Sequence, residues 1–124
     1  MSQYSVHKLL APETAHKLEL RKNGKAIAQI SSLGWAVTWI SGRQDKEFVK
    51  EHGHTPAMEL VLHLAKLVKP NEGRLWFWSV KPQGRRLIEG MQKRGIGTVE
   101  KDEGRHITFL TSAKPKLLLS ESRE

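Results

Sequence analysis

The chain has no cysteine, which excludes disulfides and thiolate metal sites and leaves its redox compartment unspecified. Aromatic side chains are scarce, and Tyr4 is the single tyrosine, so phenol chemistry has one candidate at most. No apolar run approaches the ~20 residues that cross a bilayer. The N-terminus lacks the basic stretch followed by an apolar one that marks a secretory leader. A cytoplasmic setting without membrane contact is therefore expected. No internal repeat or low-complexity tract is present.

Acidic residues are also in deficit. Thirteen Asp and Glu face 21 Lys and Arg, which leaves a net charge of +8. A charge of this sign favours an anionic partner: nucleic acid, a phosphorylated cofactor or an acidic protein. Apolar residues make up 38% of the 124 positions, enough for one modest core. Residues 1–112 read as a single domain. Residues 113–124 read as a tail, because Lys, Ser and Glu surround Leu117 to Leu119.

The pattern that is there begins with a short edge strand around Tyr4, Val6, Leu9 and Leu10. Leu18 and Leu20 then lie two apart, Asn23-Gly24 gives a hairpin cue, and Ala26 to Ile30 returns as a second strand. Trp35 to Ile40 is β-branched and aromatic and makes a third, completing an antiparallel meander. Gly42 to His54 reads as a polar loop. Thr55 is a natural N-cap and Pro56 suits the first turn of a helix reaching Lys69, apolar enough all round to be sandwiched. Arg74 to Val80 is a central strand, Arg85 to Arg94 a second helix capped by Gly95, and Thr98–Lys101 with Arg105–Leu110 a closing hairpin. The order is a meander followed by β-α-β-α-β-β. It predicts an α+β fold with one β-α-β crossover inside a mixed sheet.

The stretch Lys50-Glu51-His52-Gly53-His54-Thr55-Pro56 opens directly into the first helix. Main-chain N–H groups and the positive end of a helix dipole make such a place an anion site. In open sheets of this kind, ligands lie where neighbouring strands part, at helix N-termini.

This layout resembles the GNAT acyltransferases, which move an acyl group from acyl-CoA to an amine. The resemblance covers roughly Ala15 to Thr111. The family's pyrophosphate loop, Gln/Arg-x-x-Gly-x-Gly/Ala, corresponds to Lys50-x-x-Gly53-x-Thr55, with Lys50 and Thr55 as departures. The resemblance implies that the N–H groups of Gly53, His54 and Thr55 hold the diphosphate of acetyl-CoA or another acyl-CoA. Ser41, Gly42 and Arg43 would form one edge of the pantetheine gap and Trp78 to Val80 the other. The family often has a tyrosine, as acid for the departing thiolate, where this chain has Met91. The chain also lacks room for the two helices that usually build the acceptor side, and such compact forms occur among bacteriophage proteins.

Amine acylation needs a base for the acceptor and an acid for the thiolate. His52, His54 and Glu51 are the candidate bases and Ser79 a candidate donor, each set against an ordinary surface or packing role. His52 and His54 alternate like metal ligands, but only His63 offers a third, and no metal is expected. Arg85 and Arg86, with Lys81, Lys93 and Arg94, form a basic cluster suited to a CoA phosphate. Trp76 reads as packing, while Trp78 is open between packing and an acyl tunnel. Two other functions fit. One is a GNAT-shaped module without turnover that binds a bacterial host protein. The other is a winged-helix nucleic-acid binder, disfavoured because Glu100, Asp102 and Glu103 sit in the wing. The acceptor is open, and a second subunit is a possible source of the missing wall.

Overall fold

The computed structural model describes residues 2–12, 14–68, 73–78 and 82–121. Alternation of apolar and polar residues builds its first half. β1 (Tyr4–Lys8) pairs antiparallel with β2 (Ala15–Lys22), Val6 opposite Leu20. Asn23 and Gly24, at φ 52° and 82°, make the left-handed two-residue turn into β3 (Lys25–Leu33). β4 (Ala36–Gly42) completes the meander. Val6, Leu18, Leu20, Ala28, Ile30 and Val37 are buried, as a period of two on one covered face requires.

The segment expected to be a loop contains α1 (Lys46–His52). Asp45 accepts from the Phe48 N–H at 2.9 Å to start this helix, and Gly53 ends it at φ 83°. Only Phe48 in it is buried, so its sequence carries no amphipathic stripe. α2 (Pro56–Leu67) begins where Thr55-Pro56 predicts, with the Thr55 hydroxyl accepting from the Met58 N–H. Every residue from Met58 to Ala65 is buried, so the helix is covered on all sides. It closes at Val68, and the predicted last residue, Lys69, lies outside the described residues.

β5 (Arg74–Trp78) runs parallel to β4 and antiparallel to β7 (His106–Thr111), which pairs with β6 (Gly97–Asp102). Leu75 and Phe77 are buried on the helix side. Trp76 points to the other side, where Trp35 stacks on it at 6.3 Å and His106 at 5.0 Å. The predicted continuation through Ser79 and Val80 lies outside the described residues. α3 (Pro82–Lys93) starts three residues earlier than expected and buries Ile88 and Met91. Among the described residues no helix is long and apolar enough to cross a membrane.

The segment read as a tail joins the sheet. β8 (Leu119–Glu121) pairs parallel with β1, so β1 is not an edge and the sheet order is β6-β7-β5-β4-β3-β2-β1-β8. Residues 112–118 must cross from β7 to the far side. Six strand spacings in a flat sheet are about 29 Å, the reach of a fully stretched connection of this length, also about 29 Å. This connection instead bends at Ala113, Lys116 and Leu117. The sheet must therefore curl around α2 to bring its ends closer. Ala113, Leu117 and Leu119 pack on the core as the strap passes. The result is an α+β domain with one curled, mixed, eight-stranded sheet.

Close packing at Gly97 gives a direct check. A Cβ there would fall 2.1 Å from Cζ of the buried Phe109 ring. Gly97→Ala should cost about 3 kcal/mol by overpacking, read as a lower urea midpoint. Gly104→Ala meets no atom within 4 Å and carries only its φ of 85°, so it should cost about 1 kcal/mol. Equal costs would refute the packing account.

Candidate ligand cleft and its buried support

Among the described residues β4 and β5 pair at Ala36–Trp76 and Val37–Phe77, and β4 continues to Gly42 on its β3 side. Beside the end of β4 lies a cleft of about 460 Å³, within the range of small-ligand sites. Its described walls include Ser41, Gly42 and Arg43 at the end of β4, Thr55, Ala57 and Met58 at the start of α2, and Arg86 of α3. Gly42 lets sheet and helix approach: a Cβ there would lie 3.0 Å from the Ala57 methyl and 3.5 Å from that of Ala28.

The expected diphosphate cradle needs a correction. The Gly53 N–H is donated to the Val49 carbonyl at 2.8 Å, because Gly53 caps α1, and its carbonyl accepts from Arg94 Nε at 3.2 Å. Gly53 is therefore no free donor. Thr55 and Ala57 line the cleft, and no acceptor among the described residues takes the N–H of either. The donors sit one step further along, at the first turn of α2. The basic residues divide as well. Arg86 lines the cleft, whereas Arg85 is tied to the β6–β7 hairpin through Asp102 at 3.0 Å and the Gly104 carbonyl at 3.0 Å. Lys50 lines a neighbouring hollow with Lys46 and Arg94, which shares Thr55 with the cleft.

None of the described candidate bases lines the cleft. The His52 ring packs on Phe48 at 4.5 Å and edge-on to Tyr4, with Glu51 beside it at 3.6 Å. Tyr4 is no substitute acid: burial, and then its hydrogen bond to Asp45, pushes its phenol up to about 12. Ser79 lies outside the described residues. His54 is buried, and its Nε2 is 2.7 Å from Glu59 Oε1.

Glu59 is the residue that reading the sequence for function passed over. It has no exposed surface. Besides His54 it accepts from His63 Nε2 at 2.9 Å, from the Leu117 N–H at 2.8 Å and from the Lys116 N–H at 3.0 Å to each oxygen. A carboxylate only accepts, so both imidazoles carry a proton on Nε2. Burial by itself would raise the Glu59 pKa; the hydrogen bonds from His54, His63, Lys116 and Leu117 outweigh it and hold it well below the usual carboxylate range. The signal was a lone acid in the apolar run Ala57 to Leu62, since such residues are buried only when partnered. No set of three or more His, Asp or Glu among the described residues is arranged to hold a metal ion.

A carboxyl held lower in the native state than unfolded stabilises the fold above its unfolded pKa, near 4.3. That contribution is lost as pH falls through the lower native value. Urea unfolding from pH 7 to pH 3 should show falling stability, and Glu59→Gln should be less stable by roughly 3 kcal/mol at pH 7 with a shallower fall. Parallel curves for the two proteins would refute this role for Glu59.

Compared with known proteins, the chain matches no family model and shows no significant similarity to any curated sequence, so its function has to be read from the site.

Proposed function

We propose that the cleft binds an acyl-coenzyme A, in the manner of the GNAT acyltransferases that the sequence resembles, and presents the acyl group to an amine of a small molecule or protein. The observation that carries this reading is the cleft at the start of α2, walled by the end of β4 and by Arg43 and Arg86. A diphosphate there meets the Thr55 and Ala57 N–H groups, the positive end of a 12-residue helix, and the guanidinium groups of Arg43 and Arg86.

The chemistry is aminolysis. The amine nitrogen attacks the thioester carbonyl, the C–S bond breaks, and the thiolate leaves while the amine loses a proton. None of His52, His54 and Glu51 lines the cleft, so the protein contributes positioning, and the proton passes to solvent. This same observation favours a second reading, in which the domain binds acyl-CoA without rapid turnover and acts by contact with a partner protein, such as one of a bacterial host.

Acetyl-CoA at about 100 times its Kd should stabilise the fold by about 2.7 kcal/mol. Arg86→Ala should weaken binding about 10-fold, as loss of a charged hydrogen bond does, while Arg85→Ala should leave it unchanged. Any transfer should rise with pH along the acceptor amine's own ionisation. No thermal shift and no calorimetric heat with several acyl-CoAs would overturn the proposal.

A further inference from the structure

The Glu59 carboxylate joins two nearby residues to a strap that is distant in sequence. His54 belongs to the loop between α1 and α2, His63 lies one turn further along α2, and Lys116 and Leu117 belong to the strap that ends in β8. Two of these ties share a single atom, because Oε1 accepts from both His54 Nε2 and the Lys116 N–H. We infer that Glu59 makes the C-terminal strap part of the support of the ligand cleft, so that residues 53–58 and 116–121 open and close as one unit. Glu59 is a positioning residue in this scheme and touches no ligand. The connection to the cleft, though not the unit itself, rests on the function proposed above.

The argument is one of matched donors. A carboxylate without access to water is tolerable only while its lone pairs are filled. When the strap lifts, Glu59 loses the Lys116 and Leu117 donors together, and water or a proton must replace them. Either replacement competes with the bond to His54. His54 immediately precedes Thr55, whose hydroxyl and carbonyl receive the Met58 and Glu59 N–H groups that start α2. Thr55, Ala57 and Met58 are also the α2 wall of the cleft. Among the described residues the strap is otherwise held by Ser112, which donates to the Ile96 and Gly95 carbonyls, by three residue pairs with β1 and by the half-buried Ala113, Leu117 and Leu119. Among the described residues, His54 and His63 alone bring titratable side chains to Glu59; the strap brings main-chain N–H groups.

Native-state hydrogen exchange on the full-length protein, in sub-denaturing urea, tests this. The hydrogen-bonded amides on the loop side, Gly53, Met58 and Glu59, and those of the strap at Lys116 and Leu117 should share one opening free energy and one urea slope. Lys116→Pro removes one donor to Glu59 and should speed exchange in both segments by a common factor. Leu117→Pro is the second variant, should the first fail to fold. Strap amides that open at lower free energy while the loop amides stay protected, in the wild type or in a folded variant, would overturn the inference. Saturating acetyl-CoA should slow exchange at Lys116 and Leu117, which do not line the cleft. Slowing in the loop alone would also overturn the inference. If acetyl-CoA does not bind, the proposed function falls, and the ligand-free exchange data decide the coupling on their own.

Discussion

A buried carboxylate has to be matched donor for donor, and Glu59 imposes that demand on this fold. Its Coulombic attractions do little more than offset the cost of removing charge from water. What they determine is which segments sit together. A core of Leu and Val would accept many coverings of α2. The Glu59 oxygens accept two imidazoles and two consecutive main-chain N–H groups, and the strap satisfies them only with Lys116 and Leu117 in place. The cover that the strap gives Glu59 depends on that placement. So does the parallel pairing of β8 with β1, which covers an edge that would otherwise expose unpaired backbone.

A second cluster does the same at the other end of the meander. Asp45 caps α1 through the Phe48 N–H and also accepts from Tyr4 Oη and Lys22 Nζ, each at 2.8 Å. Glu47 accepts from both the N–H and the hydroxyl of Ser2. Thus β1, the end of β2 and the start of α1 are held at one point. Between these two acidic anchors lies the loop that leads into α2, fixed from both sides. The start of α2, which walls the cleft, therefore rests on anchored neighbours.

Local chemistry was legible in the sequence and long-range chemistry was not. Asn23-Gly24 and Thr55-Pro56 act through their own backbones, so the hairpin and the start of α2 could be read directly. α1 could not, because a seven-residue helix with one buried side chain shows no period. That miss carried into the site. A glycine at the end of a loop is a free donor, whereas the same glycine at the end of a helix is a cap whose N–H is spent. Gly53 is the second kind, so the donors had to be sought at Thr55 and Ala57. The strap was illegible for another reason. Leu117 and Leu119 find their partners only once the sheet has curled, and nothing near them in sequence encodes the curl. His54 looked like a base because it lies beside the loop; that it faces Glu59 is a fact of tertiary packing.

Arg85 and Arg86 show how finely the basic surface is divided. They are adjacent on α3, and the 100° step between neighbours on a helix sends them to different tasks. Arg85 answers Asp102 and the Gly104 carbonyl and stiffens the hairpin, while Arg86 reaches the cleft. Net charge alone would count them equally. Other cations are likewise paired with acids and add nothing to the +8: Lys22 with Asp45 and Glu47, Arg74 with Glu100, Lys101 with Glu103. The cleft, by contrast, is lined by Arg43 and Arg86, with no acidic residue among its described walls. An anion entering it meets uncompensated positive charge on a wall that already contains a helix N-terminus. This local imbalance, more than the total, argues for a phosphorylated ligand at this place.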